Sequence, residues 1–140
     1  MTLEAIILAA GKGTRMNSNK PKVLHSIGGI PMLEHVVDAA MLLHATKVHV
    51  VVGYGAGQIK EAFSAEKYKD EVLWVTQEEQ LGTGHAVRQA LPNLEYNGAD
   101  DLIIVLYGDV PLTKLTTLRE LVRLAGNNKL SVLSLIAENP

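Results

Sequence analysis

The chain has 140 residues, of which 47% are hydrophobic and 20% charged, with 12 glycines and 5 prolines. That is one domain's worth of ordinary globular composition, and it excludes collagen-like, disordered and coiled-coil classes. Thirteen Lys and Arg against fifteen Asp and Glu leave a net charge of −2, which argues against a dedicated binder of nucleic acid or membrane surfaces.

No cysteine is present, so disulfides, thiolate nucleophiles, zinc ribbons and iron–sulfur clusters are excluded. Met1 to Leu8 lacks the basic head and long apolar stretch of a secretory signal, and no apolar run approaches the roughly 18 residues of a membrane span. The expectation is a cytoplasmic enzyme or binding domain. Charge is unevenly spread: between Ala5 and Leu33 stand Lys12, Arg15, Lys20 and Lys22 and no carboxylate. This is either a solvated basic loop or a site for a small anion.

In chain order, Leu3 to Leu8 reads as a strand, followed by a Gly-rich loop. A helix is expected from Pro31, with Leu33, Val36, Val37, Ala40 and Leu43 on one apolar face. Val48 to Val52 is a β-branched strand stopped by Gly53-Tyr54-Gly55, and Ile59, Ala62 and Phe63 mark a short helix. Val72 to Thr76 is a third strand, and another short helix begins near Gly82 to Gly84 and ends before Pro92. Asn97-Gly98 turns the chain into Leu102 to Tyr107, the most continuously apolar strand, which is read as a central one. Thr117 and Glu120 have the spacing of a capping box for a helix carrying Leu118, Leu121, Val122 and Ala125, and Leu130 to Ala137 reads as a fifth strand. Alternating strands and helices predict an α/β fold, an open three-layer Rossmann-like sandwich with a mainly parallel sheet and helices on both faces. The text stops straight after an apolar run with no closing helix, as expected of a fragment truncated at its C-terminal side.

In such a sheet, ligands bind outside the carboxyl ends of the strands. After the first strand comes Leu8-Ala9-Ala10-Gly11-Lys12-Gly13-Thr14-Arg15-Met16. Its two glycines allow a tight turn whose N–H groups face an anion. It is not the dinucleotide fingerprint, because Met16 takes the third glycine's place, and no Walker motif occurs. After the fourth strand comes Tyr107-Gly108-Asp109-Val110-Pro111-Leu112. Asp109 there is either a ligand for a hard cation such as Mg²⁺ or a turn residue. Asp100 and Asp101 precede that strand and read as a solvated turn at the opposite edge. After the third strand come Gln77 and Gln80-Leu81-Gly82-Thr83-Gly84-His85-Ala86. Gln77 offers both a donor and an acceptor to a nucleobase edge, and Gly82 and Thr83 either contact a ligand or simply begin a helix. The five histidines, His25, His35, His44, His49 and His85, have no metal-ligand spacing.

These blocks resemble the sugar-1-phosphate nucleotidyltransferases. The Leu-Gly-Thr-Gly-His-Ala and Tyr-Gly-Asp-Val-Pro-Leu stretches narrow the resemblance to the bacterial bifunctional enzymes that make UDP-N-acetylglucosamine. The resemblance implies that residues 1–140 are the N-terminal nucleotide-binding portion of a uridylyltransferase domain. The rest of that domain and a β-helix acetyltransferase domain would lie outside this chain. The implied reaction joins UTP and N-acetylglucosamine 1-phosphate into UDP-N-acetylglucosamine and pyrophosphate, for peptidoglycan and lipopolysaccharide precursors. Carried over by position, Leu8, Ala9, Ala10 and Gly11 hold the uridine together with Gln77, Gly82 and Thr83. Arg15 and Lys22 bind phosphates and take part in catalysis, Tyr107 and Gly108 line the site, and Asp109 ligates Mg²⁺. No nucleic-acid or membrane partner is implied, and a trimer is expected of the full-length family member rather than of this chain. Another sugar-1-phosphate nucleotidyltransferase and a non-catalytic nucleotide-binding module remain as alternatives.

Overall fold

A computed structural model describes residues 1–13, 17–63, 66–95, 97–126 and 128–137. Strand β1 is Leu3–Leu8, and two-residue strands β2 (Ser26–Ile27) and β3 (Ile30–Pro31) form a small antiparallel hairpin. Helix α1 (Met32–Leu42) leads to β4 (Lys47–Val52), α2 (Ala56–Ala62) and β5 (Val72–Thr76). Helix α3 (Thr83–Ala90) leads to β6 (Leu102–Tyr107) and α4 (Leu115–Ala125).

The main sheet has the order β5-β4-β1-β6 and all its pairings are parallel. Alternate residues therefore serve two separate cores. Ala5 and Ile7 of β1, Val48, Val50 and Val52 of β4 and Ile104 of β6 face α1, α2 and α4, through Leu33, Val37, Ile59 and Leu118 among others. Ile6 and Leu8, with Val51 and Val75, face α3 through Ala86 and Ala90. This is the three-layer sandwich read from the alternation of elements, and strand order reverses between β1 and β6. The carboxyl ends of those two neighbours open the crevice where such sheets take ligands.

Three expectations are corrected. First, β6 is an edge strand rather than a central one. Among the described residues it is flanked by β1 alone, and on the α3 face Ile103 and Val105 are 45% and 41% exposed because α3 covers β1 and β4 instead. Second, residues 130–137 form no strand, and Leu130 and Ile136 are more than nine-tenths exposed. An apolar run becomes a strand only when a ladder partner accepts it, and the free edge of β6 does not take up this one. Third, Thr117 and Glu120 are not a capping box. The helix begins two residues earlier, at Leu115, which puts both residues inside it, and Glu120 instead pairs with Arg123 one turn on. In addition, Pro31 stands just before α1, at its N-cap, rather than inside its first turn.

Candidate active site

The ladder continues past the strand ends and brings three loops together. Ala9 N–H donates to Val51 O (2.8 Å), Gly108 N–H to Leu8 O (2.9 Å) and Gln77 N–H to Val52 O (2.8 Å). A further tie runs from Gln80 Nε2 to Ala10 O (2.8 Å). The loops after β1, β5 and β6 thereby wall a cavity of about 460 Å³, a size typical of small-molecule sites.

Most of the residues singled out in the sequence meet there. Leu8, Ala9, Ala10 and Gly11 line one side, Gln77, Gly82 and Thr83 another, and Lys22, Tyr107 and Asp109 a third. Gly108 lies just behind that wall: it is buried, and a Cβ on it would come within 3.1 Å of Leu8 O and 3.2 Å of Val23. Arg15, with its neighbours Thr14 and Met16, lies outside the described residues. Lys12 and Lys20 are exposed and do not line the cavity. Asp101 faces the other way, as expected of a residue before β6, but it is more than a solvated turn. Its carboxylate accepts the N–H groups of Thr2 (2.7 Å), Asn97 (2.9 Å) and Gly98 (3.1 Å). Those bonds, the Thr2 one foremost, hold its pKa down at about 2.

Lys22 reaches the cavity from a short 3₁₀ turn, Lys22–Leu24, whose Val23 and Leu24 are buried. Two glycines set its position. Gly55, at φ +69° before α2, leaves room for fully buried Pro21, and a Cβ there would fall 2.4 Å from Pro21 Cγ. Gly13, at φ +59°, lies against Lys22 itself, and a Cβ on it would fall 2.8 Å from Lys22 Cβ. Both positions combine a backbone conformation that side chains resist with no space to hold one.

From there Lys22 Nζ donates to Asp109 Oδ2 at 2.7 Å across 87 residues of sequence. The lysine side chain is 40% and the aspartate 33% exposed. A pair this wet contributes about 0–1 kcal/mol, so either partner can be handed to a ligand at small cost. Among the described residues no three His, Cys, Asp or Glu side chains converge on a metal site. One carboxylate beside a lysine in a cavity of small-molecule size nonetheless fits a hard cation that keeps its waters and shares substrate phosphate oxygens.

Sequence reasoning missed the support behind these residues. Gln80, Val23 and Ala86 also line the cavity, and Gln77 is itself held. Its side-chain Nε2 donates to Gly82 O (3.2 Å) and lies 2.9 Å from His85 Nδ1. The signal available was spacing, since His85 lies three residues past Gly82 on α3.

The MobA-like NTP transferase domain model matches residues 5–138. The chain is 52% identical over 138 residues to the Bifunctional protein GlmU of Saccharophagus degradans, covering 99% of this chain and 29% of that protein. The chain thus spans under a third of the length of the curated relatives it matches. Among solved structures, a nucleotidyl transferase from Methanothermobacter thermautotroptrophicus is 26% identical with a TM-score of 0.68, covering 87% of this chain and 57% of that one. Rv0371c of Mycobacterium tuberculosis, solved as a complex with manganese, has the same fold at 21% identity and a TM-score of 0.67, covering 89% of this chain and 59% of that one. Among the described residues no helix is long and apolar enough to cross a membrane. By a model match that runs over nearly its whole length, this chain belongs to the MobA-like NTP transferase domain family.

Proposed function

We propose that residues 1–140 form the nucleotide half of a cytoplasmic uridylyltransferase site that makes UDP-N-acetylglucosamine and pyrophosphate from UTP and N-acetylglucosamine 1-phosphate. The observation that carries this reading is the Lys22–Asp109 pair on a cavity whose other walls are the loops after β1 and β5. It sets a cation beside a carboxylate where strand order reverses, which supports phosphate and a metal being held there. The similarity to proteins named GlmU at 45–52% identity supports the choice of substrate pair.

In this reading the backbone from Leu8 to Gly11 packs against the uridine, while Gln77, Gly82 and Thr83 address its base. Tyr107 and Gly108 bound the site on the β6 side. Lys22 and Arg15 hold the triphosphate, and Asp109 is the protein ligand for Mg²⁺. When bound, that ion offsets negative charge on the phosphates. An oxygen of the sugar 1-phosphate attacks the α-phosphorus, the new P–O bond forms as the bond to the β-phosphate oxygen breaks, and pyrophosphate leaves. The attacking phosphate is already a competent nucleophile, so the chain's residues act by aligning two anions and balancing their charge. Arg15→Ala is expected to lower turnover more than UTP affinity.

Calorimetric titration of the folded chain with UTP, with and without Mg²⁺ and with ATP in parallel, tests the reading. Binding that prefers UTP and tightens with Mg²⁺ is the expected result. Equal binding of ATP would replace the uridylyl assignment with another nucleotide, and Mg²⁺-independent binding would favour a non-catalytic module.

A further inference from the structure

The carboxamide of Gln77 is fixed in one orientation. Gly82 O accepts only hydrogen bonds, so the amide atom 3.2 Å from it is the NH₂ group. The same nitrogen lies 2.9 Å from His85 Nδ1. Its second hydrogen therefore goes to that ring atom, which has to be an unprotonated acceptor. The ring proton of His85 then sits on Nε2, 3.2 Å from the Gln89 amide. That amide accepts it once its carbonyl end is turned to the ring, which gives up the long 3.5 Å contact of the Gln89 amide with His85 O. Gly82 O and His85 Nδ1 together consume both hydrogens of Gln77. Buried Gln77, on the cavity wall, is left with Oε1 as the atom it can offer a ligand.

Beside it the first turn of α3 starts at Thr83 with no side-chain cap, so its leading N–H groups are donors without intrahelical partners. An acceptor next to donors complements the N3–H and C4 carbonyl edge of uracil. It opposes cytosine, whose N3 is an acceptor and whose C4 carries an amine. We infer that His85 is a positioning residue that, together with Gly82 O, holds the Gln77 amide with its carbonyl toward the base and thereby helps the site select uracil over cytosine. This rests on the uridine nucleotide reading above and extends it to a residue outside the cavity wall.

The test is binding of UTP and CTP to the unaltered chain and to His85→Ala and His85→Asn, with circular dichroism showing each folded. Asn is chosen because its Oδ1 can replace Nδ1 as the acceptor. The unaltered chain should favour UTP over CTP by about 100-fold or more. His85→Ala should cut that ratio about tenfold, the loss of roughly one hydrogen bond's discrimination. His85→Asn should restore it to within about threefold, a rescue that a packing role for the ring does not predict. An unchanged ratio in His85→Ala, or no preference in the unaltered chain, overturns the positioning role while leaving uridine binding intact. Failure of the folded, unaltered chain to bind UTP at all overturns the functional reading and this inference with it.

Discussion

Glu4 and His49 meet at 2.5 Å on the α3 face of the sheet, with side chains 5% and 0% exposed. Lys22 and Asp109 meet at 2.7 Å beyond the carboxyl ends of the strands, and each keeps a third or more of its side chain in water. The first pair is buried where its side chains meet. Glu4 also accepts the N–H of Glu95 at 2.7 Å, and Glu95 in turn pairs with Lys47, so this cluster ties the segment before β6 to two strands. The second pair is held from one side only, by the turn at Lys22–Leu24 and the loop after β6. Sealed from water, a polar cluster serves the fold, because breaking it strands a buried group. Left half-wet at a strand end, it costs little to open, and a ligand can take its place.

Removing members of each pair should separate those roles. The largest effect on stability is expected from Glu4→Ala. It leaves the His49 ring N–H and the Glu95 N–H without their acceptor, a loss of about 3–5 kcal/mol in urea unfolding. Next comes Gly55→Ala, which combines a left-handed backbone with a clash on Pro21. About 2–3 kcal/mol of stability should go, and UTP should bind more weakly because Pro21 carries Lys22.

At the wet pair, Asp109→Ala and Lys22→Met should each change stability by less than about 1 kcal/mol while changing ligand binding. Asp109→Ala should abolish the tightening of UTP binding by Mg²⁺. Lys22→Met should weaken UTP binding about tenfold, the worth of one charge-assisted hydrogen bond. A large loss of stability from either would mean that this pair, too, holds the fold.

The smallest effect sits at Asp101. Its pKa is depressed to about 2 in the folded chain against an ordinary 3.8, so its contribution is complete above pH 4 and is lost as pH falls toward 2. Asp101→Asn should therefore flatten the stability profile between pH 4 and 2 and leave its shape near neutrality unchanged. An unaltered acid limb in thermal melts across that range would show that the three N–H bonds to Asp101 do not couple to unfolding.

Much of this is legible in the sequence alone. Leu3–Leu8, Val72–Thr76 and Leu102–Tyr107 are strands with the bounds their apolar runs suggest. The loops that wall the cavity are those that follow β1, β5 and β6, as an open parallel sheet requires. Apolarity did not reveal which strand lies at an edge. Leu102–Tyr107 is the most apolar of the strands and yet pairs on one side only, because burial of a strand depends on its neighbours as much as on its own residues. Leu130 to Ala137 has the same apolar character and finds no ladder at all.

By itself the sequence determined the local periodicities, the parallel alternation of strands and helices, and the residue types gathered at each strand end. Those follow from covalent order and from a side-chain period that repeats over a few residues. Only the tertiary structure decided that Lys22 reaches Asp109, that Glu4 is sealed against His49, and that His85 lies against the amide of Gln77. The first two of these contacts join residues tens of positions apart in the chain. The third depends on which atom a donor finds as its acceptor once the elements have packed. No local pattern encodes either, because the partners become neighbours only when the sheet closes around them.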